Sequence, residues 1–160
     1  MPLIHPFEPI FDASSRILIL GTFPSIKSRE YGFYYGHPQN RFWKVIAHIT
    51  QTDSFPETVI AKKQMLLTHK IALADALQSC DIKASGDSSI KNTIPMNLLK
   101  ILNNSHVDHI YANGEKAYQL AMKYFSKNIT QKIFRLPSTS SANAKYSLEK
   151  LILEWKIIST

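Results

Sequence analysis

Short apolar runs, each ending near glycine, proline or polar residues, divide the chain into strand-like and helix-like segments. Four of these runs predict strands, at residues 17–20, 71–77, 107–112 and 133–136. The first run is uniformly apolar, which is typical of a short strand buried on both faces of a parallel sheet. The second ends near Asp75, the third at an Asn-Gly pair, and the fourth at Pro137. Each predicted strand is therefore followed by a turn or loop.

Segments with helical spacing alternate with these strands. Phe42, Val45, Ile46 and Ile49 recur at i, i+3, i+4 and i+7. Further helices are predicted after Pro56, around residues 96–102, over residues 117–124, and from Ser147, a favourable N-cap. The alternation predicts one α/β domain over residues 1–160, a three-layer α/β/α sandwich around a mainly parallel sheet of four or five strands. Three prolines in the first nine positions predict that residues 1–15 form an irregular lead-in.

Polar loops follow every predicted strand and should meet at one edge of the sheet. These are residues 22–40, 78–93, 113–114 and 137–146. The first loop is long and carries aromatic rings, among them Phe23, Phe33, Tyr34 and Tyr35, beside the amides Gln39 and Asn40. Two interpretations stay open at this point. The rings could form a pocket for a planar base, or a small core that stiffens the loop.

Composition and charge narrow the function classes. With 44% apolar and 19% charged residues the chain is globular, and its net charge of +7 favours a polyanionic partner such as nucleic acid. A single cysteine, Cys80, excludes an internal disulfide and a cysteine-ligated cluster, and we expect it to be a small buried residue. The six histidines lack metal-ligand spacing beyond His106 and His109, and we expect that pair to be surface side chains, with no metal and no cofactor.

Several common motifs are absent from the sequence. The segment GTFPS has neither the glycines of a dinucleotide fingerprint nor the lysine of a P-loop, and there is no GxSxG or HExxH. No apolar run approaches the roughly 18 residues of a membrane span, and the first residues lack the pattern of a secretory signal. These features predict a cytoplasmic protein without membrane contact.

Five motifs occur in a particular order along residues 15–155. They are GTFPS after the first strand, GFYYGHPQNRFWKVI, LADALQSC with GDSSIKN, IYANGEKAY, and LPSTSSAN with SLEKL. Together they resemble the uracil-DNA glycosylase superfamily, and within it the hypoxanthine-DNA glycosylase branch. The resemblance implies a monofunctional DNA glycosylase of base-excision repair, monomeric and metal-free. Its substrate would be double-stranded DNA with a deaminated base, hypoxanthine (deoxyinosine) before uracil.

The resemblance also implies roles for particular residues. Asn40, the Asn of HPQN, would be the catalytic amide, accepting a hydrogen bond from the attacking water. The substrate-binding residues would be Gly21, Thr22, Phe23, Tyr35 and Asp75. Among them Tyr35 would stack on the flipped base, and Asp75 would accept an N–H from its edge. The DNA-binding residues would be Arg41, Lys91, Ser138, Thr139, Ser140, Asn143 and Lys145.

Two positions differ from related sequences. The mismatch-specific uracil glycosylases are similar in HPxNRFWKV but have Asn in the first motif, where this chain has Phe23. Ser141 stands where Pro is expected in LPSTSPAN. The alternatives left open are a mismatch-specific G:U or G:T glycosylase, a catalytically silent nucleic-acid-binding domain of the same fold, and a small-molecule nucleotide hydrolase.

Overall fold

A computed structural model describes residues 2–82 and 90–159 of the chain. The strands are β1 (Leu3–Ile4), β2 (Ile17–Gly21), β3 (Ile71–Asp75), β4 (Leu77–Ile82), β5 (Ile90–Pro95), β6 (His109–Asn113) and β7 (Lys132–Leu136). The helices are α1 (Ile26–Tyr31), α2 (Phe42–Ile49), α3 (Val59–Thr68), α4 (Leu98–Leu102), α5 (Glu115–Tyr124) and α6 (Leu148–Trp155), followed by a 3-10 turn at Lys156–Ser159.

The central sheet has four parallel strands in the order β3, β2, β6, β7. Its register sets Gly21 opposite Asp75, so the ends of β2 and β3 lie side by side. The chain moves from β2 outward to β3 and later returns to the other side of β2 with β6. This reversal is a topological switch point, where open α/β sheets form their ligand crevices. The predicted fold class is confirmed.

Alternating side chains of β2 divide the core into two layers. Ile19 faces a cluster formed with α2, α3 and α6, in which Phe42 and Trp155 are fully buried. Leu18 and Leu20 face the opposite cluster, formed with α4 and α5. Burying each large apolar side chain contributes about 1.5–3 kcal/mol to the stability of the fold. Packing on both faces therefore stabilises the central sheet. Within residues 2–82 and 90–159, no helix has the length and apolar character needed to cross a bilayer.

A second sheet was not expected from the sequence. It contains β1, β4 and β5 in antiparallel pairs, where residues 78–93 had been predicted as loop. The prediction was wrong because β4 mixes polar and buried positions, with Ser79 and Cys80 both buried. Burial raises the pKa of the Cys80 thiol, as befits a small core residue. Residues 83–89, including most of GDSSIKN, lie outside the described part of the chain.

The lead-in is more regular than predicted. Leu3 pairs with Cys80 in the second sheet, and Ile10 forms a bridge to Leu73 at the edge of the central sheet. The prolines of the first nine positions exclude helix, but they permit these short extended pairings. Residues 3–10 are thereby fixed against β3 and β4.

Candidate active site

A small pocket lies where the central strands end. Its volume is about 250 Å³, and β2, β3 and β6 each contribute their final residue, namely Gly21, Asp75 and Asn113. The remaining lining residues come from the loops after β2 and β7; they are Thr22, Phe23, Pro24, Ser25, Ser28, Tyr34, Tyr35, Asn40, Ser138, Thr139, Ser140 and Ala142. The expectation that residues 22–40 and 137–146 line one groove is confirmed. The described part of residues 78–93 does not line it.

Asn40 is held by two hydrogen bonds to its side-chain oxygen. Oδ1 accepts the Phe42 N–H at 2.9 Å and the Thr139 hydroxyl at 2.9 Å. The orientation of the amide is defined because a backbone N–H can only donate. Thr139 in turn receives the Asn113 Nδ2–H at 3.0 Å on Oγ1, and its own N–H donates to Asn113 Oδ1 at 3.0 Å. One directed chain of donors thus runs from Asn113 through Thr139 to Asn40.

This chain changes the chemistry available to Asn40. An amide oxygen has two lone pairs, and here both directions already have donors from the protein. The sequence interpretation gave Oδ1 to the attacking water, but the structure engages Oδ1 with Phe42 and Thr139. Among the hydrogen bonds of the described residues, none uses the Asn40 Nδ2 group. That NH₂ group is therefore the part of the side chain that can act on a ligand, and it can only donate.

Asn113 is a site residue that the sequence interpretation did not single out. Its amide fixes both the backbone and the hydroxyl of Thr139, which is fully buried. The available signal was its position, since Asn113 ends a buried strand immediately before a glycine. Gly114 has φ of +99°, and a Cβ there would lie 3.1 Å from Ser138 Cβ, so the residue must stay small for the β7 loop to approach.

Arg41 does not play the part expected for it. Its side chain donates to the backbone carbonyls of Thr139 at 3.4 Å, Ser140 at 2.7 Å, Asn143 at 3.2 Å and Tyr146. Its own N–H also donates to Thr139 O at 3.0 Å. A guanidinium with all three nitrogens engaged by one loop fixes the shape of that loop. We had expected a phosphate contact, and the structure instead makes Arg41 the brace of residues 139–146.

The other predicted DNA-binding residues divide into internal and outward groups. Thr139 has no exposed surface, so its hydroxyl is not available to phosphate, and Asn143 donates to Ser138 O at 3.0 Å within the loop. Ser138 and Ser140 line the pocket, and Lys145 is exposed on the same loop. Lys91 is exposed on β5 in the second sheet and does not line the pocket.

Gly21 allows two side chains to approach the end of β2 very closely. A Cβ at this position would lie 2.3 Å from Asp75 Oδ1 and 2.6 Å from Tyr35 Oη, distances that no side chain tolerates. Tyr35 has φ of +52°, an uncommon conformation for an aromatic residue and one often found at functional sites. Its ring stacks on Phe42 with centroids 4.2 Å apart, so one face is already covered. Stacking of Tyr35 on a flipped base stays a prediction.

The rings of the aromatic loop divide between the hydrophobic core and the lining of the pocket. Phe33 stacks on Trp43 at 5.8 Å, and Tyr34 is 1% exposed, so these two rings belong to the core. The Tyr34 hydroxyl donates to Glu8 O at 3.2 Å. Burial raises the pKa of Tyr34 far above its ordinary value, with nearby Asp75 adding to the effect, so the phenol stays neutral. Phe23 is half-buried and lines the pocket instead.

His5 is a buried residue beside the site that the sequence interpretation did not single out. Its side chain has no exposed surface, and its Nε2 lies 2.8 Å from Asp75 Oδ2. Asp75 is itself 3% exposed. The pair joins the lead-in to the end of β3, across 70 positions of sequence. No local sequence signal marks this contact, because it depends on how β1 pairs with β4.

Comparisons with known proteins agree with the geometry. Residues 8–158 match the family model of the uracil DNA glycosylase superfamily. The chain is 29% identical over 164 aligned positions to a hypoxanthine DNA glycosylase of Methanosarcina acetivorans, covering 95% of each protein. It is 29% identical over 141 positions to one of Methanosarcina barkeri, covering 87% of each.

The fold has a solved counterpart. A solution NMR structure of a candidate uracil DNA glycosylase from Methanosarcina acetivorans aligns with the whole chain at a TM-score of 0.77 and 24% identity. That similarity supports the fold, while the family match over nearly the full length decides membership. The resemblance carried by GTFPS, HPQNRFW and LPSTSSAN is confirmed. This chain belongs to the uracil DNA glycosylase superfamily.

Proposed function

We propose that this chain is a monofunctional DNA glycosylase that removes a deaminated base, hypoxanthine before uracil, from double-stranded DNA. The observation that carries the proposal is the convergence of Asn40, Asp75 and the β7 loop on one pocket at the switch point of the sheet. With a volume of about 250 Å³, the pocket has room for a single nucleobase. The names of the two Methanosarcina relatives support hypoxanthine as the first candidate.

The reaction exchanges one bond at C1′ for another. The bond from C1′ to the base nitrogen breaks and its electron pair leaves with the base, while a water oxygen bonds to C1′. The water loses one proton and the departing base takes up one, so the products are an abasic site and the neutral free base. The transition state places positive charge on the sugar and negative charge on the departing base. Groups that stabilise the departing base need only be donors already in place, and no strong base is required.

Asn40 supplies such a donor. Since its Oδ1 is engaged by Phe42 and Thr139, its Nδ2–H₂ group would donate to an acceptor atom of the departing base. Preorganised donors of this kind are worth about 10²–10³ in rate each. The chain from Asn113 through Thr139 holds the amide, so little reorganisation is needed when charge develops.

Asp75 supplies the opposite kind of group. A carboxylate oxygen accepts hydrogen bonds, so it would receive the N1–H of hypoxanthine or the N3–H of uracil. Backbone N–H groups of Thr22 and Phe23, at the end of β2, would donate to the exocyclic oxygen beside that N–H. The pocket would thus match the donor and acceptor pattern of a deaminated base edge.

The β7 loop and the positive charge supply DNA binding. Ser138, Ser140 and Lys145 would contact phosphates beside the flipped nucleotide, on a loop shaped from within by Arg41. With a net charge of +7, duplex affinity should fall steeply with added salt. We further propose that the protein acts as a monomer.

A panel of duplexes, each with one lesion, tests the proposed function. The protein is incubated with duplexes containing hypoxanthine, uracil or xanthine, or G:U and G:T mismatches, and both free base and alkali-labile abasic strands are measured. Release of hypoxanthine with an intact abasic strand is expected. Binding without base release would instead support a silent DNA-binding domain, and preferred release from G:U or G:T would support the mismatch-specific alternative.

A further inference from the structure

His5 is a buried histidine beside the pocket that the proposed mechanism does not use. Phe7 N–H donates to its Nδ1 at 3.1 Å, so Nδ1 must carry a lone pair. The ring proton of neutral His5 therefore sits on Nε2, which lies 2.8 Å from Asp75 Oδ2. The tautomer follows from the backbone donor, and it directs an N–H at the carboxyl group.

This N–H determines what Asp75 can present to a ligand. His5 Nε2–H donates to Asp75 Oδ2, so this bond fixes the position and the plane of the carboxylate. A carboxylate oxygen accepts hydrogen bonds, and the carboxylate therefore presents acceptor atoms in a defined orientation. The second oxygen, Oδ1, lies against the end of β2, where a Cβ on Gly21 would be 2.3 Å away. Asp75 is thus held from both sides as it lines the pocket.

His5 also contacts the pocket wall. Its ring meets the ring of Phe23 edge to face, with centroids 5.6 Å apart, and it lies against Tyr34 at 5.4 Å. Backbone pairing fixes its position, because His5 N donates to Gln78 O at 2.8 Å beside the β1 and β4 ladder. The neutral Tyr34 phenol donates to Glu8 O, so it adds no second charge beside Asp75.

Deamination changes one feature that such an acceptor reads. Adenine and cytosine have a lone pair on the ring nitrogen of the pairing edge, and their deamination products carry an N–H there. A fixed acceptor attracts the N–H and opposes the lone pair. Sites built to hydrogen-bond one polar group reject analogues that lack it by about 10⁴–10⁵-fold. The same acceptor would therefore favour hypoxanthine over adenine and uracil over cytosine. It would not discriminate between hypoxanthine and uracil, because both carry an N–H at this edge.

We infer that His5 is a positioning residue that sets specificity: it holds the Asp75 carboxylate in place as a hydrogen-bond acceptor, so that the pocket selects bases with an N–H at the pairing edge. The inference rests on the proposed function and deepens it. It makes the lead-in part of the active site, although His5 itself touches neither the sugar nor the scissile bond in this account.

The test compares two purines that differ at the N1 edge. Single-turnover excision and duplex affinity are measured for deoxyinosine, which has N1–H, and for deoxynebularine, which has an N1 lone pair and no exocyclic group. The proteins are wild type, His5→Phe, which keeps a ring but removes the donor, and His5→Gln, which keeps an N–H at the ε position. His69→Phe, at the opposite edge of the sheet, is the matched control.

The inference predicts a change in the ratio between the two purines. His5→Phe should reduce the preference for inosine at least ~100-fold, and His5→Gln should restore it to within ~10-fold of wild type. His69→Phe should leave it unchanged. Equal losses on both purines with an unchanged ratio would overturn the inference, because a merely structural His5 would affect them alike.

Two further arms keep the test decisive. If His5→Phe does not fold, Asp75→Asn replaces it: His5 Nε2–H would hold the amide oxygen and turn Nδ2–H₂ into the pocket, which should reverse the preference. An unchanged preference in Asp75→Asn would also overturn the inference. If wild type binds but excises neither purine, the proposed function fails, and the ratio of duplex affinities then decides the inference alone.

Discussion

The central sheet has a cleft at each of its ends, and the larger one is not the candidate active site. The cleft at the amino ends of the strands has a volume of about 560 Å³, against about 250 Å³ at the carboxyl ends. Four exposed ionisable side chains line it, Arg16, His69, Lys70 and Asp108, and no side-chain hydrogen bond joins any two of them. At the carboxyl ends, buried polar groups hold one another in defined orientations.

The two clefts differ in how their polar groups are held, and preorganised polar groups, more than pocket volume, distinguish the candidate functional end of this sheet. His69 bonds Met65 O within its own helix turn, and His109 bonds its neighbour Asp108. These contacts are local and do not aim groups at a common point. At the other end, Asn113, Thr139 and Asn40 come from three separate segments and form one directed chain. Aligned groups of this kind reduce the cost of stabilising charge in a transition state.

Gly21→Ala should have the largest effect of the substitutions that separate the two ends. Its Cβ would collide with Asp75 Oδ1 and Tyr35 Oη, so both side chains must move from the pocket floor. Misplacing site groups by about 1 Å costs on the order of 10²-fold in rate, and we expect that loss in single-turnover excision. Lys70→Ala in the amino-end cleft is the control and should stay within about twofold of wild type. Equal losses in the two variants would erase the contrast between the clefts.

Arg41→Lys should have a smaller effect and a distinctive salt dependence. An ammonium cannot reach the four carbonyls that the guanidinium holds, so the β7 loop should lose definition and DNA affinity should fall about tenfold. Because Arg41 bonds the loop, the slope of log affinity against log salt should stay as in wild type. Lys145→Ala should lower that slope by about 1, as expected for one lost phosphate contact. An equal decrease of the slope in Arg41→Lys would show that Arg41 contacts a phosphate.

Lys70→Gly should have the smallest effect, and on stability alone. Lys70 has φ of +61°, a left-handed conformation that costs a non-glycine residue about 1 kcal/mol or more. Glycine removes this cost but gains unfolded-state entropy worth about 0.5–1 kcal/mol, so the net gain should be below about 1 kcal/mol. We expect Tm to rise by about 1–3 °C with an unchanged excision rate. An altered rate would show that the amino-end cleft takes part in the reaction.

Sequence patterns predicted the parts of this molecule that depend on local periodicity. The central strands and the α2 and α6 helices follow directly from apolar spacing, and strand ends located Gly21 and Asp75 at one edge. Residues 78–82 and 90–93 were missed as strands because their polar side chains are compatible with either state until β1 supplies a partner. The hydrophobic periodicity of one segment cannot indicate its pairing with a distant strand.

The site chemistry was only partly predictable for a related physical reason. Asn40 was located from a motif, but its Oδ1 atom is occupied by the hydroxyl of Thr139, 99 positions away, and the motif does not indicate that contact. The charge of Arg41 suggested phosphate, whereas its partners are carbonyls of a distant loop. His5 was not singled out because its contact with Asp75 spans 70 positions. Residue type indicates what a group can do, and tertiary contacts decide which of those options remains.

Asn40→Asp tests the central claim most directly. Aspartate keeps an oxygen for Phe42 N–H and the Thr139 hydroxyl, so these two hydrogen bonds and folding should persist, but it removes the Nδ2–H₂ donor. Asn40→Ala removes both hydrogen bonds as well, each worth about 1 kcal/mol of stability. In single-turnover assays on a deoxyinosine duplex, we predict that both folded variants excise hypoxanthine at least ~100-fold more slowly than wild type, with DNA affinity close to wild type. Wild-type excision by folded Asn40→Asp would contradict the donor role, and wild-type excision by folded Asn40→Ala would remove Asn40 from the mechanism.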